Sequence, residues 1–403
     1  MGRLAVLSLH TSPLAQPGAG DGGGMNVYVR SLSSALARAG LDCDVYTRAW
    51  RPGLAPVVAV EPGVRVHHVP AGPPSGVTKE DLPELVDEFT DGVLARILSG
   101  GEPDLIHANY WLSGVAGHAL KHELGLPLVC TFHTLARVKA EATGEEAGLR
   151  GQAEAEVVGC SDAVLASAEH ERVQLARLYD ADPARIEVVP PGVDHERFAA
   201  GDRRAARRAL RLGDGPVLLF VGRIQPLKGV DVAVEVAARC RPDTTLLVVG
   251  GPSGAEGEVE RRRVAALVDE LGMGGRVRFV PPQPHHRLAT FYRAADVCLV
   301  PSRSESFGLV ALEAAACGTP VVAAAVGGLQ TLVEHARTGF LVDVGDAAAF
   351  AACVRALLDD PARAAAMGDA AIARSRRYSW SITAARVRRL CADLTARAPV
   401  ECQ

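Results

Sequence analysis

Two short stretches combine residue types suited to holding a phosphorylated, hydroxylated small molecule. In Phe220-Val-Gly-Arg223-Ile-Gln-Pro-Leu-Lys228-Gly229, two cations follow a predicted strand at a helix entrance. Arginine offers a planar fork and lysine a point charge, a combination that suits a pyrophosphate. Further on, Glu305 precedes a predicted helix and Glu313 lies inside it, with Ser306, Phe307 and Gly308 at the helix start. Amides at such a start hold an anion or hydroxyls beside Glu305. Leu309, Val310, Leu312 and several alanines surround Glu313, so its carboxylate is expected to be buried. An unpaired charge there is costly, and the vicinal hydroxyls of a bound sugar would pair it.

A third stretch follows the first strand and reads His10-Thr-Ser-Pro-Leu-Ala-Gln16-Pro17-Gly-Ala-Gly-Asp21-Gly-Gly-Gly24-Met-Asn26. Gly18, Gly20 and Gly23 match GxGxxG, the pattern of a nicotinamide-dinucleotide site. The first glycine arrives late after the strand, however, and no acidic residue closes the second strand, as that fingerprint requires. A second reading gives Gly22, Gly23 and Gly24 bare amides at the start of a helix near Asn26, an anion site. A plain flexible glycine loop is the third.

The elements that must position these loops alternate short Val-, Ile- and Leu-rich runs with longer amphipathic stretches, the pattern of βα units and a parallel sheet covered on both faces. The first series of predicted strands covers residues 4–9, 43–47, 104–107, 127–132, 163–166 and 186–189, with a helix over 28–39. The second covers 217–221, 246–249, 277–280, 297–300, 321–323 and 340–342. Pro190-Pro191-Gly192-Val193-Asp194 lies between the two and suits a linker. At 403 residues the chain exceeds what one hydrophobic core supports. The expected organisation is an N-terminal Rossmann-like domain over 1–192, a second over 193–380 and a helical tail over 381–403 packing back on the first. Ligands bind beyond the carboxyl ends of parallel strands, so function is expected in the strand-end loops of two domains facing across a cleft.

A net charge of −4 leaves no overall electrostatic footprint for nucleic acid or an anionic membrane. Arg203, Arg204, Arg207, Arg208 and Arg211 form a basic stripe at helical spacing, either a contact for membrane or phosphate or a solvated helix face. The nine cysteines are scattered without CxxC spacing, and no His/Cys cluster suggests a metal, so reduced thiols in cytoplasm are expected. No run is long and apolar enough for a membrane span, and no leader is expected.

Arg223, Lys228, Glu305 and Glu313 at these spacings resemble the donor signature of the retaining GT-B glycosyltransferases of the family 4 type, and the resemblance covers essentially the whole chain. Thr78-Lys79-Glu80-Asp81-Leu82, Tyr110-Trp-Leu-Ser-Gly and His133-Thr134-Leu strengthen it and turn it toward members that act on an inositol phosphate at the entry to mycothiol synthesis. It implies the GT-B fold and transfer of N-acetylglucosamine from UDP-N-acetylglucosamine to 1D-myo-inositol 3-phosphate, with no cofactor needed for catalysis. On the donor side it implies that Arg223 and Lys228 neutralise the pyrophosphate, that Glu313 accepts ribose hydroxyls and that Glu305 accepts hexose hydroxyls. Ser306, Phe307 and Gly308 lie beside Glu305, Gly24 approaches a phosphate, Gln16 and Pro17 border the sugar, Gln283 edges the uridine and His133 bonds the hexose. On the acceptor side it assigns Lys79, Tyr110, Thr134 and Arg150 to the phosphate, and His10, Asp21 and Asn26 to the ring hydroxyls.

The same resemblance implies a structural Mg2+ at Tyr292, Arg293, Ala295 and Thr319, and it is compatible with a homodimer. His107-Ala108-Asn109-Tyr110 departs from the group's usual Ser-His at the middle two positions, a departure shared with related sugar-phosphate enzymes. Transfer of glucose or another hexose to a hexose phosphate is therefore the first alternative. An NAD-dependent oxidoreductase and a non-catalytic sugar-nucleotide binding module are the others.

Overall fold

The computed structural model describes residues 2–18, 20, 22–144 and 146–402. Its strands are β1 Gly2–Leu7, β2 Leu41–Arg48, β3 Val57–Glu61, β4 Val64–Val69, β5 Leu105–Asn109, β6 Leu128–Thr131, β7 Ala163–Ala166, β8 Ile186–Val188, β9 Val217–Val221, β10 Thr245–Val249, β11 Val277–Val280, β12 Val297–Val300, β13 Val321–Ala324 and β14 Gly339–Val342. The α-helices are α1 Gly24–Arg38, α2 Val86–Gly100, α3 Trp111–Leu124, α4 Ala136–Thr143, α5 Gly148–Cys160, α6 Glu169–Tyr179, α7 Arg203–Leu210, α8 Val230–Ala238, α9 Gly254–Glu270, α10 His285–Ala294, α11 Leu309–Ala316, α12 Leu329–Leu332, α13 Ala347–Leu358, α14 Pro361–Ser375 and α15 Trp380–Thr395.

Two sheets result, ordered β3-β4-β2-β1-β5-β6-β7-β8 and β11-β10-β9-β12-β13-β14. Every pairing is parallel except β3 with β4. Strands such as Val217–Val221 and Ala163–Ala166 are apolar at consecutive positions because helices cover both faces of the sheet. The hairpin β3–β4 escaped the sequence reading. Its edge strand β3 is apolar over residues 57–60 but only exposed or half-buried, and β4 alternates Val with Arg and His over its first four residues.

The chain divides into two compact units that are not contiguous in sequence. The first comprises residues 1–15, 25–190 and 380–403, and the second comprises 16–24 and 191–379. The expected unbroken N-terminal domain over 1–192 is therefore interrupted. The Gln16 side chain donates to the Gln283 carbonyl, and the Gly251 amide donates to the Gly18 carbonyl at 3.1 Å, which ties the glycine loop to the second unit. Within the first unit α15 buries Trp380, Ala384, Val387 and Cys391 against Leu4, Val6, Tyr28 and Leu36. The Thr383 hydroxyl also donates to the Pro190 carbonyl.

Cys160 and Cys402 are disulfide-paired with their Cα atoms 4.9 Å apart, against the expectation of reduced thiols throughout. They stand 242 residues apart, so no local spacing marked them. Two members of the basic stripe, Arg203 and Arg207, pair with Asp296, which leaves only part of α7 as a charged face. Among the described residues no helix is long and apolar enough to cross a membrane.

Candidate active site

In the second unit the carboxyl end of β9 opens into Gly222, Arg223 and a short 3-10 turn over Pro226–Lys228. Gly229, which follows, has φ +70°, and a Cβ there would lie 2.3 Å from the Pro301 carbonyl oxygen. Only glycine lets these two strand-end loops approach so closely. That approach brings Lys228 to Glu305, Nζ to Oε2 at 2.7 Å. Ser302 Oγ is a longer neighbour of the same oxygen at 3.5 Å. The Arg223 guanidinium donates to Ser253 Oγ at 3.2 Å and lies against the glycine loop, where a Cβ on Gly23 would stand 3.4 Å from Arg223 Nε. A Cβ on Gly24 would touch Leu309, the first residue of α11, at 3.5 Å. Two cations, a carboxylate, a glycine loop and the start of α11, after Ser306, Phe307 and Gly308, are thus gathered in one unit. The set can neutralise a pyrophosphate and accept sugar hydroxyls.

Glu313 is buried as expected but not unpaired, so a ligand is not needed to complete it. His285 Nε2 donates to Oε1 at 2.6 Å and the Tyr292 hydroxyl donates to Oε2 at 2.8 Å. Burial opposes a charge on His285, yet the Glu313 carboxylate prevails and raises the histidine pKa above its ordinary value. A carboxylate has about four lone-pair sites, so these two bonds do not exhaust its acceptor capacity. The Gln283 side chain folds back to donate to the Pro281 carbonyl at 2.8 Å, and its own carbonyl receives Gln16, which also donates to the Pro17 carbonyl at 3.2 Å.

The first unit gathers a second set at the carboxyl ends of β1, β5 and β6. The His10 and Tyr110 rings lie 4.9 Å apart, and the Arg150 guanidinium stands 4.9 Å above the Tyr110 ring. Arg150 donates to the Thr134 carbonyl at 2.8 Å and hydroxyl at 3.1 Å. It is aimed from below by Glu154, wholly buried in α5, whose Oε1 accepts Arg150 Nε at 2.7 Å. The other oxygen of Glu154 accepts the Ala136 amide and the Tyr179 hydroxyl. His133 donates from Nε2 to Asn109 Oδ1 at 3.0 Å, so Asn109 selects the tautomer that leaves Nδ1 as the acceptor. Burial, with His107 close by, pushes the His133 pKa from 6.5 down to about 3, and the ring is neutral at pH 7. Tyr110 and His133 both hold positive φ, +75° and +62°, which bulky residues rarely adopt.

Not every residue singled out joins these sets. Asn26 is buried and its amide donates to Thr11 Oγ1 and the Ser12 carbonyl, so it shapes the loop after β1. Lys79 is exposed between β4 and α2, without a hydrogen bond or ion pair among the described residues. Asp21 lies outside the described residues. Around the Mg2+ positions, the Tyr292 carbonyl already accepts the Thr319 hydroxyl at 2.6 Å, and the Arg293 guanidinium donates to the Ala199 and Arg197 carbonyls. These side chains are thus engaged within the protein, and a cation at these positions would be held by main-chain carbonyls.

Sequence reasoning missed His285, Tyr292 and Glu154 as partners. Glu154 was within reach, since it sits one helical turn after Arg150. His285 and Tyr292 were not, because their link to Glu313 is tertiary.

Comparison with known proteins follows the same lines. The description "Glycosyltransferase Family 4" matches residues 22–197, and "Glycosyl transferases group 1" matches residues 202–374. The chain is 50% identical over 398 residues to D-inositol 3-phosphate glycosyltransferase 2 of Catenulispora acidiphila, covering 95% of this chain and 93% of that one. It is 49% identical to the D-inositol 3-phosphate glycosyltransferase of Xylanimonas cellulosilytica, with 98% of each covered. Among solved structures, the sucrose-phosphate synthase of Thermosynechococcus elongatus superposes with a TM-score of 0.92 at 37% identity, covering 98% of this chain and all of the other. Anabaena HepE in complex with UDP-glucose shares the fold at 20% identity, with a TM-score of 0.78 over 97% of this chain and all of that one.

Proposed function

The chain belongs to the family 4 glycosyltransferases of GT-B fold, and from that premise we propose that it transfers N-acetylglucosamine from UDP-N-acetylglucosamine to 1D-myo-inositol 3-phosphate with retention of configuration. The observation that carries the donor half is the Lys228–Glu305 ion pair beside an Arg223 that lies against the glycine loop. The acceptor half rests on Arg150, Thr134, Tyr110 and His10, a cation and hydroxyls suited to a phosphate next to a ring. The names of the inositol-phosphate relatives support the acceptor.

In this reading the bond from the anomeric carbon to the β-phosphate oxygen breaks. The acceptor hydroxyl oxygen bonds to that carbon on the same face, and its proton passes to the departing phosphate oxygen. Arg223 and Lys228 stabilise the charge that grows on the diphosphate, an electrostatic contribution set in place before the reaction. Neutral His133 accepts a hexose hydroxyl through Nδ1, oriented by Asn109. Glu305 accepts hexose hydroxyls, and Glu313, held by His285 and Tyr292, accepts those of the ribose. No step is routed through a metal ion.

A second acceptor is favoured by the likeness to sucrose-phosphate synthase and by Asn109 itself: a hexose phosphate, with UDP-glucose as donor. Mass-spectrometric product detection with UDP-N-acetylglucosamine or UDP-glucose against 1D-myo-inositol 3-phosphate or fructose 6-phosphate separates the two. Product from the inositol phosphate supports the first reading, whereas product from fructose 6-phosphate alone replaces it. The anomeric coupling of the product by NMR tests retention.

A further inference from the structure

We propose that, in the reduced chain, His118, His122, Cys160 and Cys402 form a tetrahedral zinc site that fastens the segment after α15 to α3 and α5. The two imidazoles stand one turn apart on α3, the i, i+4 placement that brings two histidines onto one helix face. Cys160 closes α5, and Cys402 arrives beyond the end of α15. The four ligand atoms all lie within 4.8 Å of one another. His122 Nε2 is 3.1 Å from Cys402 Sγ and 3.4 Å from Cys160 Sγ, and His118 Nε2 is 3.8 Å from Cys402 Sγ. Metal–sulfur and metal–nitrogen bonds of about 2.3 and 2.0–2.1 Å imply sulfur-to-nitrogen edges of roughly 3.5 Å in a tetrahedron, and the three distances bracket that figure.

A disulfide alone accounts for the two sulfurs but not for two imidazoles turned onto them. A set of two thiolates and two imidazoles is a closed structural zinc sphere and a poor one for Mg2+ or Ca2+. The surroundings are already fixed without metal. Lys121, between the two histidines in sequence, points inward to Asp162 at 2.8 Å, and the second oxygen of Asp162 accepts the Val400 amide.

In the structure the sulfurs are bonded to each other, so the oxidised chain is the metal-free state. A thiol reductant supplies two electrons and two protons to give two cysteine thiols, and is itself oxidised to its disulfide. Zn2+ then binds both sulfurs and releases the two protons.

The test uses the full chain, reduced with a phosphine and dialysed against Zn2+ or Co2+ under argon. The expected result is about one zinc per chain by elemental mass spectrometry, together with the thiolate-to-cobalt charge-transfer and tetrahedral ligand-field bands of a Co2+ complex. His118→Ala/His122→Ala and Cys402→Ser lose both signals while keeping wild-type circular dichroism and glycosyl transfer. Reduced wild-type chain without stoichiometric metal overturns the proposal, as does metal binding that survives the double histidine variant. A mass two hydrogens lower that persists under reductant also overturns it.

Discussion

Lys228 pairs with Glu305 at 2.7 Å in the second unit, and in the proposed reading it is also the cation that meets the donor. Lys228→Ala is expected to lower kcat by about 10²–10³, the range for removing one preorganised donor to developing charge, measured by steady-state UDP release. The acceptor KM should stay nearly constant, because the acceptor set lies in the first unit. In the same reading Asn109 acts at one remove, through its contact with His133. Asn109→Ala frees the ring to take either tautomer and is expected to reduce kcat about tenfold, with a smaller change in donor KM, while Asn109→Asp, which keeps an acceptor oxygen, restores most of the loss. Arg223, Lys228, Glu305 and Glu313 were legible in the sequence because they fall in two short stretches, three of them in strand-end loops and Glu313 inside the helix that follows. Their partners were not. Nothing near Glu313 in sequence announces His285, and Asn109 stood out only as a departure until its contact with His133 gave it a purpose.

At the level of elements, the site depends on how closely strand-end loops approach one another. Gly229→Ala forces a side chain toward the Pro301 carbonyl at a left-handed φ, and the loop carrying Lys228 must move away from Glu305. A loss of about 1–3 kcal/mol in guanidinium unfolding is expected, together with a fall in kcat resembling that of Lys228→Ala. Gly53→Ala, at an open position of similar φ, provides the control that separates backbone strain from crowding. The alternating βα pattern marked twelve of the strands because most are short, largely apolar runs bounded by a turn. The β3–β4 hairpin differs from them: residues 57–60 are apolar but lie on an exposed antiparallel edge, and β4 mixes Val with Arg and His. The disulfide and the glycine loop's attachment to the second unit were equally unreadable, for both depend on distant residues meeting.

For the whole molecule, acid stability follows from two histidines, the buried His107 and the half-buried His133. Burial lowers the pKa of His107 to about 4, and burial with His107 nearby lowers that of His133 to about 3, while both take ordinary values near 6.5 when unfolded. The unfolded chain therefore gains protons first as pH falls. Their contribution is complete above pH 6.5 and is lost as pH falls from 6.5 to about 4 for His107 and to about 3 for His133, at about 1.4 kcal/mol per pH unit for each ring. His285 runs the other way, because its raised pKa stabilises the fold below 6.5 and loses that contribution as pH climbs through the raised value. The denaturation midpoint should drop on acidification through this window, and His107→Gln should flatten the slope; an unchanged slope counts against the assignment. Two α/β layers could be read from composition and periodicity, but their interleaving along the chain could not. That interleaving has a consequence in time. The Arg388 side chain donates to the Ala39 carbonyl across 349 residues, and α15 covers the same face of the sheet that begins with β1. At roughly 5–20 residues per second, a ribosome reaches α15 about 20–70 s after β2 has emerged, so the unit whose synthesis starts first is the last to close its core.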